Sequence, residues 1–242
     1  MSKEKFKVLE GVFDEYTLST LDVLKRKKYF DELGHAIKTG KEGDVYFAKK
    51  FETNTTNSNS QDLRRAIKLY RVTSANFKKI SQYITRDYRF KTIKGSLRKV
   101  IMAWSQKEFR NLNICHKAQM NVPYPYIQSN NVIIMEYIDG GMLKDIHLVN
   151  PEDFFEQLLE QLHIMRHVAK LVHGDLSEYN IMVQDQTPYI IDVGQAMSIK
   201  NADDFSLFKD LYERDITIVV KYFNKKYNLD LNLEEVFKRL EE

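Results

Sequence analysis

His173-Gly174-Asp175-Leu176-Ser177-Glu178-Tyr179-Asn180, followed after a short gap by Ile190-Ile191-Asp192-Val193-Gly194, decides the reading of this chain. An Asp, an Asn five residues later and a second Asp beyond a short hairpin are the groups that phosphoryl transfer from ATP requires. One carboxylate positions the attacking group, and the Asn and the second carboxylate hold Mg²⁺ through oxygen ligands. An isolated H-x-D-x₄-N match has a structural explanation about as often as a chemical one. A hydrophobic-Asp-x-Gly at the right distance behind it makes the pair specific.

The upstream half agrees with that chemistry. Thr39-Gly40-Lys41-Glu42-Gly43-Asp44-Val45-Tyr46 is a glycine-containing turn entering a strand, suited to covering phosphates with its backbone N–H groups. It lacks the full G-x-G-x-x-G and is not a Walker A. Lys68, in Ala66-Ile67-Lys68, stands on the next strand in the context of a phosphate-binding lysine. Glu108, on the following helix, is placed to pair with it and aim it at the phosphates. The apolar strand that ends in Met135-Glu136-Tyr137-Ile138 is the expected hinge, where backbone meets adenine. Taken singly, each of these has an ordinary structural explanation; five in kinase order do not.

Along the chain, residues 18–33 have rough helical spacing ending before Gly34. Strands are expected at Val45–Ala48 and Arg65–Tyr70, joined by the polar loop Thr53–Ser60. Residues 73–95 lack periodicity and read as a loop or short helices. A helix begins near Ser96, Pro123 and Pro125 mark a turn, and a strand covers Val132–Tyr137. Asn150 and Pro151 open a long helix with the apolar stripe Phe154, Phe155, Leu158, Leu159, Leu162, Met165 and Ala169. Short strands fit Met182-Val183 and Tyr189–Ile191 around a Gln186-Thr187-Pro188 turn. Helices near 203–223 and 233–241 follow, the last with Asn232 and Glu235 in a capping-box pattern. The fold class is α+β, two-lobed and kinase-like: a small β-sheet N-lobe with one main helix, and a reduced helical C-lobe. The expected organisation is a helical extension over 1–33, an N-lobe over 34–138 with a basic insertion at 71–95, and a C-lobe over 139–242.

Composition sets the outer bounds. With 242 residues, 43% hydrophobic and 12% aromatic, the chain buries a sizeable core, which excludes disorder over most of its length. Nine Gly and four Pro exclude collagen-like and low-complexity architectures. The lone Cys115 forbids an intrachain disulfide and a Cys-built metal site, and reads as semi-buried on a helix. Apolar runs such as Val132–Met135 are too short to span a bilayer, and no apolar segment follows the charged N-terminus. The expectation is a cytoplasmic protein with no membrane contact. The net charge of +3 hides a strong asymmetry: residues 1–63 are neutral, 64–110 carry +12 and 111–242 carry −9. A polyanionic partner or a solvated loop explains such a block about equally well. Arg64, Arg65, Arg71, Lys78, Lys79, Arg86, Arg89, Lys91, Lys94, Arg98 and Lys99 alternate with Phe77, Tyr83, Tyr88 and Phe90. Cations with interspersed aromatics suit an RNA backbone and its unstacked bases, so RNA contact is expected through residues 71–99.

Thr39–Glu42, Lys68-Leu69-Tyr70-Arg71, His173–Asn180 and Ile191-Asp192-Val193-Gly194-Gln195-Ala196 together resemble the RIO atypical serine/threonine protein kinases, over roughly residues 30–225. The Leu-Ser-Glu-Tyr-Asn continuation is specific to that family. The short stretch before the glycine turn and the segment Tyr70–Phe77 resemble the first, Rio-one-like subfamily. The resemblance implies ATP and Mg²⁺ as cofactors, with Mn²⁺ as a substitute. It implies Asp175 and Asp192 as catalytic groups, and Asn180 and Asp192 as metal ligands. Gly40, Lys41, Glu42, Val45, Lys68, Glu108, Glu136 and Ile138 would contact the nucleotide, and Asp192 is a candidate phosphoacceptor. The family role it implies is maturation of the small ribosomal subunit, with pre-small-subunit particles (rRNA and ribosomal proteins) as partner. Gly43 stands where the family usually has Ala, read as a mild change. His-Gly-Asp replaces His-Arg-Asp and no A-P-E motif follows Asp192, which makes ATP hydrolysis used as a switch as compatible as peptide phosphorylation. The long tail of many eukaryotic members has no counterpart, which suggests an archaeal or compact version. Three alternatives stand beside this reading. One is the small kinase/ATPase of a tRNA-modification complex, whose catalytic loop usually continues Leu-Thr-Thr-Ser-Asn. The second is a small-molecule phosphotransferase of the aminoglycoside type, which needs a larger C-lobe. The third is an RNA-binding pseudokinase scaffold, against which the intact Lys68, Glu108, Asp175, Asn180 and Asp192 argue.

Overall fold

The computed structural model describes residues 13–40, 43–51, 62–71, 96–200 and 202–242. Contacts divide the chain into two compact units, Met1–Phe109 with Tyr124–Tyr137, and Arg110–Pro123 with Ile138–Glu242. The architecture is α+β, as the sequence pattern implies.

The first unit opens with helix α1 (Glu15–Arg26), capped by Asp14, whose carboxylate accepts from the Thr17 N–H at 2.9 Å. Strands β1 (Glu32–Thr39), β2 (Gly43–Phe51), β3 (Asp62–Tyr70), β4 (Pro125–Ser129) and β5 (Val132–Glu136) form one antiparallel sheet in the order β1-β2-β3-β5-β4. Side chains alternate across it. Ile67 and Leu69 of β3 and Val132 and Ile134 of β5 join Leu21 and Leu24 of α1, Phe30 and Leu33 in one core. Tyr70 and Ile133 point the other way, into a second core with Val100, Ile101, Ala103 and Trp104 of helix α2 (Leu97–Lys117). Lys68 lies between Ile67 and Leu69, so the same alternation turns it toward α2.

The structure departs from the sequence reading in several places. The helical spacing over 18–33 covers a helix that stops at Arg26 and a strand that starts at Glu32, so the boundary expected at 33/34 falls inside β1. In β1 only Leu33 is buried, which leaves no alternation to read. Nor is α1 an appendage, because its buried leucines complete the sheet's core. The Pro123/Pro125 turn was expected to lead directly to Val132, yet Pro125 begins β4. A proline cannot donate to a ladder, but β4 is a sheet edge, where no donor is needed on the outer side. Gly43 is not interchangeable with Ala: a Cβ there would sit 2.3 Å from the Leu69 carbonyl oxygen, so β3 would have to move. Residues 72–95 and the loop 53–60 lie outside the described residues.

In the second unit, helix α3 (Pro151–His167) is capped by Asn150, with proline in its first turn. The whole predicted apolar stripe of α3 is buried, and Phe154 and Phe155 meet Phe223 of helix α4 (Ala202–Tyr227) at 6.2 and 5.2 Å between ring centroids. Helix α5 (Leu233–Glu241) has Asn232 as cap, accepting from the Glu234 and Glu235 N–H groups. It is tied to α3 by the Arg239–Glu156 and Arg166–Glu241 pairs. Short strands β6 (Gly141–Met142), β8 (Ile181–Gln184) and β9 (Thr187–Ile190) form one sheet, and β7 (Leu171–Val172) pairs with β10 (Met197–Ser198). The β8–β9 turn is Asp185-Gln186, both at positive φ (50° and 61°), with Thr187 and Pro188 already in the strand. That two-residue geometry matches strand twist, and β9 is again an edge, where Pro188 is tolerated. Cys115 is fully buried rather than semi-buried, and burial pushes its thiol up to about 12. No helix among the described residues is long and apolar enough to cross a membrane.

Leu24, 2% exposed, tests whether α1 belongs to the sheet's core. Leu24→Ala is expected to cost about 2–5 kcal/mol in urea unfolding; a change below about 0.5 kcal/mol, the size of a surface substitution, would make α1 peripheral.

Candidate active site

In the first unit the site residues gather around β2, β3 and α2. Val45 of β2 pairs across the ladder with Lys68 of β3, which pairs on its other side with Ile133. The Lys68 ammonium donates to both oxygens of Glu108 at 2.9 and 2.8 Å, across 40 residues of sequence. Lys68 keeps 13% of its side-chain exposure and Glu108 only 2%, so the carboxylate is enclosed while the ammonium retains an outlet. The Gly40 N–H is bound by the Gly43 carbonyl at 3.0 Å, closing the glycine turn; Lys41 and Glu42 lie outside the described residues. At the other end of the sheet, the Glu136 N–H donates to the Tyr124 carbonyl at 2.8 Å and the Glu136 carboxylate accepts from the Tyr124 N–H at 3.1 Å. The hinge strand is thereby pinned to the start of β4. Ile138 is buried and belongs to the second unit.

In the second unit, two ladders bring together the segments that carry the expected site residues Asp175, Asn180 and Asp192. The hairpin β8–β9 starts just after Asn180 and ends two residues before Asp192, and Ile181 faces Ile190 across it. The Ile191 N–H then donates to the Asn180 carbonyl at 3.0 Å, so the hairpin places its two flanking residues side by side. The β7–β10 pair ties the entry of the 173–180 loop to the exit of the 192–196 loop. Asn180 spends its amide N–H on the Asp175 carbonyl (2.8 Å), which turns its amide oxygen away as an acceptor. Asp192 is exposed and held at φ 61°, a left-handed conformation that Asp adopts more readily than most residues.

The loop is buried and irregular, and side chains satisfy its backbone. Asp215 of α4 accepts from the Gly174 N–H at 2.7 Å and the Leu176 N–H at 3.2 Å, and Arg214 donates to the Gly174 carbonyl at 2.5 Å. His173, 2% exposed, has Nδ1 accepting from the Asp175 N–H at 3.3 Å, so Nε2 carries the proton toward the Ile191 carbonyl at 3.1 Å. It is an anchor of the loop, with both ring nitrogens on backbone groups. Gln195 donates to the Asp175 carboxylate at 3.0 Å, and Asn111 of α2 donates to the Val193 and Ala196 carbonyls at 2.8 and 3.1 Å. Burial raises the Asp175 carboxyl above its ordinary value; His173, Arg214 and the Gln195 bond pull it down, while the charge of Asp192 pushes it further up. Asp175 and Asp192 are therefore close enough to feel each other's charge.

Sequence reasoning gave no role to Asn111, Gln195, Arg214 or Asp215. Gln195 and Asn111 stand three residues from Asp192 and Glu108, so their proximity was readable though their bonds were not. Asp215 lies 40 residues beyond Asp175, and nothing local to it signals the catalytic loop.

Asn180 and Asp192 offer one amide and one carboxylate oxygen. That donor set fits Mg²⁺, which keeps water and phosphate oxygens as its other ligands and needs no all-protein cage. Among the described residues, no group of three or more His, Cys, Asp or Glu side chains could hold a metal ion.

The RIO domain family model matches residues 44–236 of this chain. The chain belongs to the RIO family. Within it the similarity is to the first branch of atypical serine/threonine kinases. The RIO-type serine/threonine-protein kinase Rio1 of Methanocaldococcus jannaschii is 34% identical over 97% of this chain and 77% of its own length. Rio1 of Haloferax volcanii is 32% identical over 92% of this chain and 74% of its own length. The Saccharomyces cerevisiae serine/threonine-protein kinase RIO1 is 31% identical, and the match takes in 90% of this chain but 49% of the yeast protein. A crystal structure of Rio2 kinase from Chaetomium thermophilum in an ADP/Mg²⁺-phosphoaspartate complex shares the kinase-like fold, with a TM-score of 0.66, 20% identity, and coverage of 90% of this chain and 64% of that one.

Two predictions test the RIO site. Lys68→Met and Glu108→Gln should each lower kcat, and the double variant should be less impaired than the sum by about 1 kcal/mol or more, because either change abolishes the same pair; strict additivity would show that the two act separately. Burial also holds the Asp215 carboxyl above its ordinary 3.8, against the pull of His173, the two loop N–H groups and Arg214. The folded chain then binds that proton more tightly than the unfolded one, so this residue's contribution to stability is largest below pH 3.8 and declines as pH rises through the folded value. Urea titrations of Asp215→Asn across that window should lack this decline; an unchanged pH slope would remove the assignment.

Proposed function

We propose that the chain binds ATP with Mg²⁺ and transfers or hydrolyses its γ-phosphate, with Asp175, Asn180 and Asp192 at the reacting end. The observation that carries the reading is the hairpin-bracketed pair Asn180 and Asp192, with the Asp175 carbonyl accepting from Asn180 and its backbone N–H and carboxylate held by His173 and Gln195. Lys68, aimed by Glu108, holds the α/β-phosphates, and Gly40 with its neighbours in the turn covers them. Bound Mg²⁺ neutralises charge on the phosphate oxygens. Asp175 orients the attacking hydroxyl or water and takes up its proton; a carboxyl raised by burial is a better base than a free aspartate. The lysine–glutamate pair at 2.8 Å favours an enzyme over an RNA-binding scaffold that has lost its chemistry.

In the covalent route, an Asp192 carboxylate oxygen attacks the γ-phosphorus and the bond to the bridging oxygen of ADP breaks. Water then releases inorganic phosphate from the acyl phosphate. Support comes from the phosphoaspartate in the related Rio2 complex. In the direct route, Asp192 serves only the metal. Asp175→Ala should cut turnover by several orders of magnitude with nucleotide affinity kept within about tenfold. Hydroxylamine-labile phosphate should be trapped on the wild-type chain and be absent from Asp192→Asn. Phosphate that resists hydroxylamine, or survives that substitution, would exclude the covalent route.

The same reading takes in a partner. The +12 segment and the family point to the pre-small-subunit ribosomal particle, in the cytoplasm, with residues 71–99 on its RNA. Not all of that charge is available. Arg65, outside residues 71–99, is buried against Tyr126, 3.6 Å from its ring centre, and Arg98 lies over the Tyr16 ring at 4.6 Å. Reversing Lys78, Lys79, Arg86 and Arg89 to Glu should weaken particle affinity and flatten its salt dependence, with ATP binding little changed. Unchanged affinity across a salt titration would leave the segment a solvated loop.

A further inference from the structure

The glycine turn is underpinned by a buried carboxylate. Asp44, the residue after Gly43, has only 5% of its side chain exposed. Its Oδ1 accepts from the Gly40 N–H at 3.3 Å, and Gly40 is bound again by the Gly43 carbonyl at 3.0 Å. Arg71, one residue past the end of β3, grips the same carboxylate with two nearly parallel bonds, Nε to Oδ2 at 2.9 Å and Nη2 to Oδ1 at 2.8 Å. The ladder dictates the meeting: Gly43 pairs with Tyr70 and Asp44 with Leu69, so the chain leaving β3 passes directly beside the chain entering β2. Gly43, with no Cβ, lets the two backbones approach that closely.

An acidic side chain is out of place under a turn that covers phosphates. Its charge has the same sign as the ligand, and its burial leaves little water to screen it. Arg71 removes the conflict, because a bidentate guanidinium cancels the carboxylate's field close to its source. The neighbouring Tyr46 hydroxyl registers both charges: after burial, which raises it most, Asp44 pushes it up and Arg71 draws it back. Arg71 itself keeps 49% of its side-chain exposure, so it is the accessible half of the pair.

We propose that Asp44 and Arg71 are positioning residues for the nucleotide, the carboxylate fixing the glycine turn and the guanidinium cancelling a charge that the triphosphate would otherwise meet. This rests on the kinase reading above and adds to it a pair that acts on the phosphates without touching the transferred group. Calorimetric binding of Mg·ATP and of adenosine, which has no phosphates, separates the roles. Arg71→Met should weaken ATP by about tenfold, because the buried Asp44 charge is then left uncancelled beside a polyanion, while adenosine binding stays within about twofold. Asp44→Asn, which keeps an oxygen for the Gly40 N–H, should bind ATP no more weakly than wild type. The double variant Asp44→Asn/Arg71→Met should recover most of what Arg71→Met loses, and Arg71→Lys, which keeps the charge without the fork, should fall between. A double variant as weak as Arg71→Met would overturn the inference, as would equal losses of adenosine and ATP, or wild-type affinity in Arg71→Met. Wild-type protein that binds neither ligand would overturn the kinase reading and this inference together.

Discussion

An irregular stretch of backbone, His173 to Leu176, runs through the buried part of the second unit, and its polar groups must be satisfied there without helix or sheet. Asp215 meets this constraint from α4, with two N–H groups on one carboxylate, and Arg214 caps the intervening carbonyl. Gly174 makes it possible by taking φ +79°, which a side chain would resist. Once the loop is fixed, Asp175 has a defined direction, and the hairpin that begins after Asn180 can deliver Asp192 to the same place. The course of the loop that carries Asp175 thus depends on the buried carboxylate of Asp215.

The first unit solves a related problem with fewer parts. Alternation along β3 sends Ile67 and Leu69 into one core and Lys68 toward α2, where Glu108 waits at ion-pair distance. One turn further along, Asn111 holds the carbonyls of the loop behind Asp192. A single helix therefore supplies the partner of Lys68 and the support of the loop behind Asp192. Because α1 and α2 cover opposite faces of the sheet, the lysine's orientation follows from which faces are buried.

Charge is handled locally at both ends. Asp44 is paired with Arg71 and Glu108 with Lys68, whereas the charge of Asp192 raises the Asp175 carboxyl against the pull of His173, Arg214 and Gln195.

The sequence by itself determined what is local. The spacing of Asp175, Asn180 and Asp192, the apolar stripe of α3, the caps at Asn150 and Asn232 and the α+β order are all written within a few turns of chain, where 3.6- and 2-residue periods act. Strands β1 and β4 were illegible because they are sheet edges: one buries a single leucine, the other starts with a proline, and neither shows the alternation of a half-buried strand. Only the tertiary structure decided the rest. Asp215 under the catalytic loop, Asn111 on the Asp192 loop, Arg71 on Asp44 and Arg65 on Tyr126 join residues 27 to 85 positions apart. Such pairings follow from which backbone groups are left buried and unsatisfied once the elements have packed, and no local pattern records that.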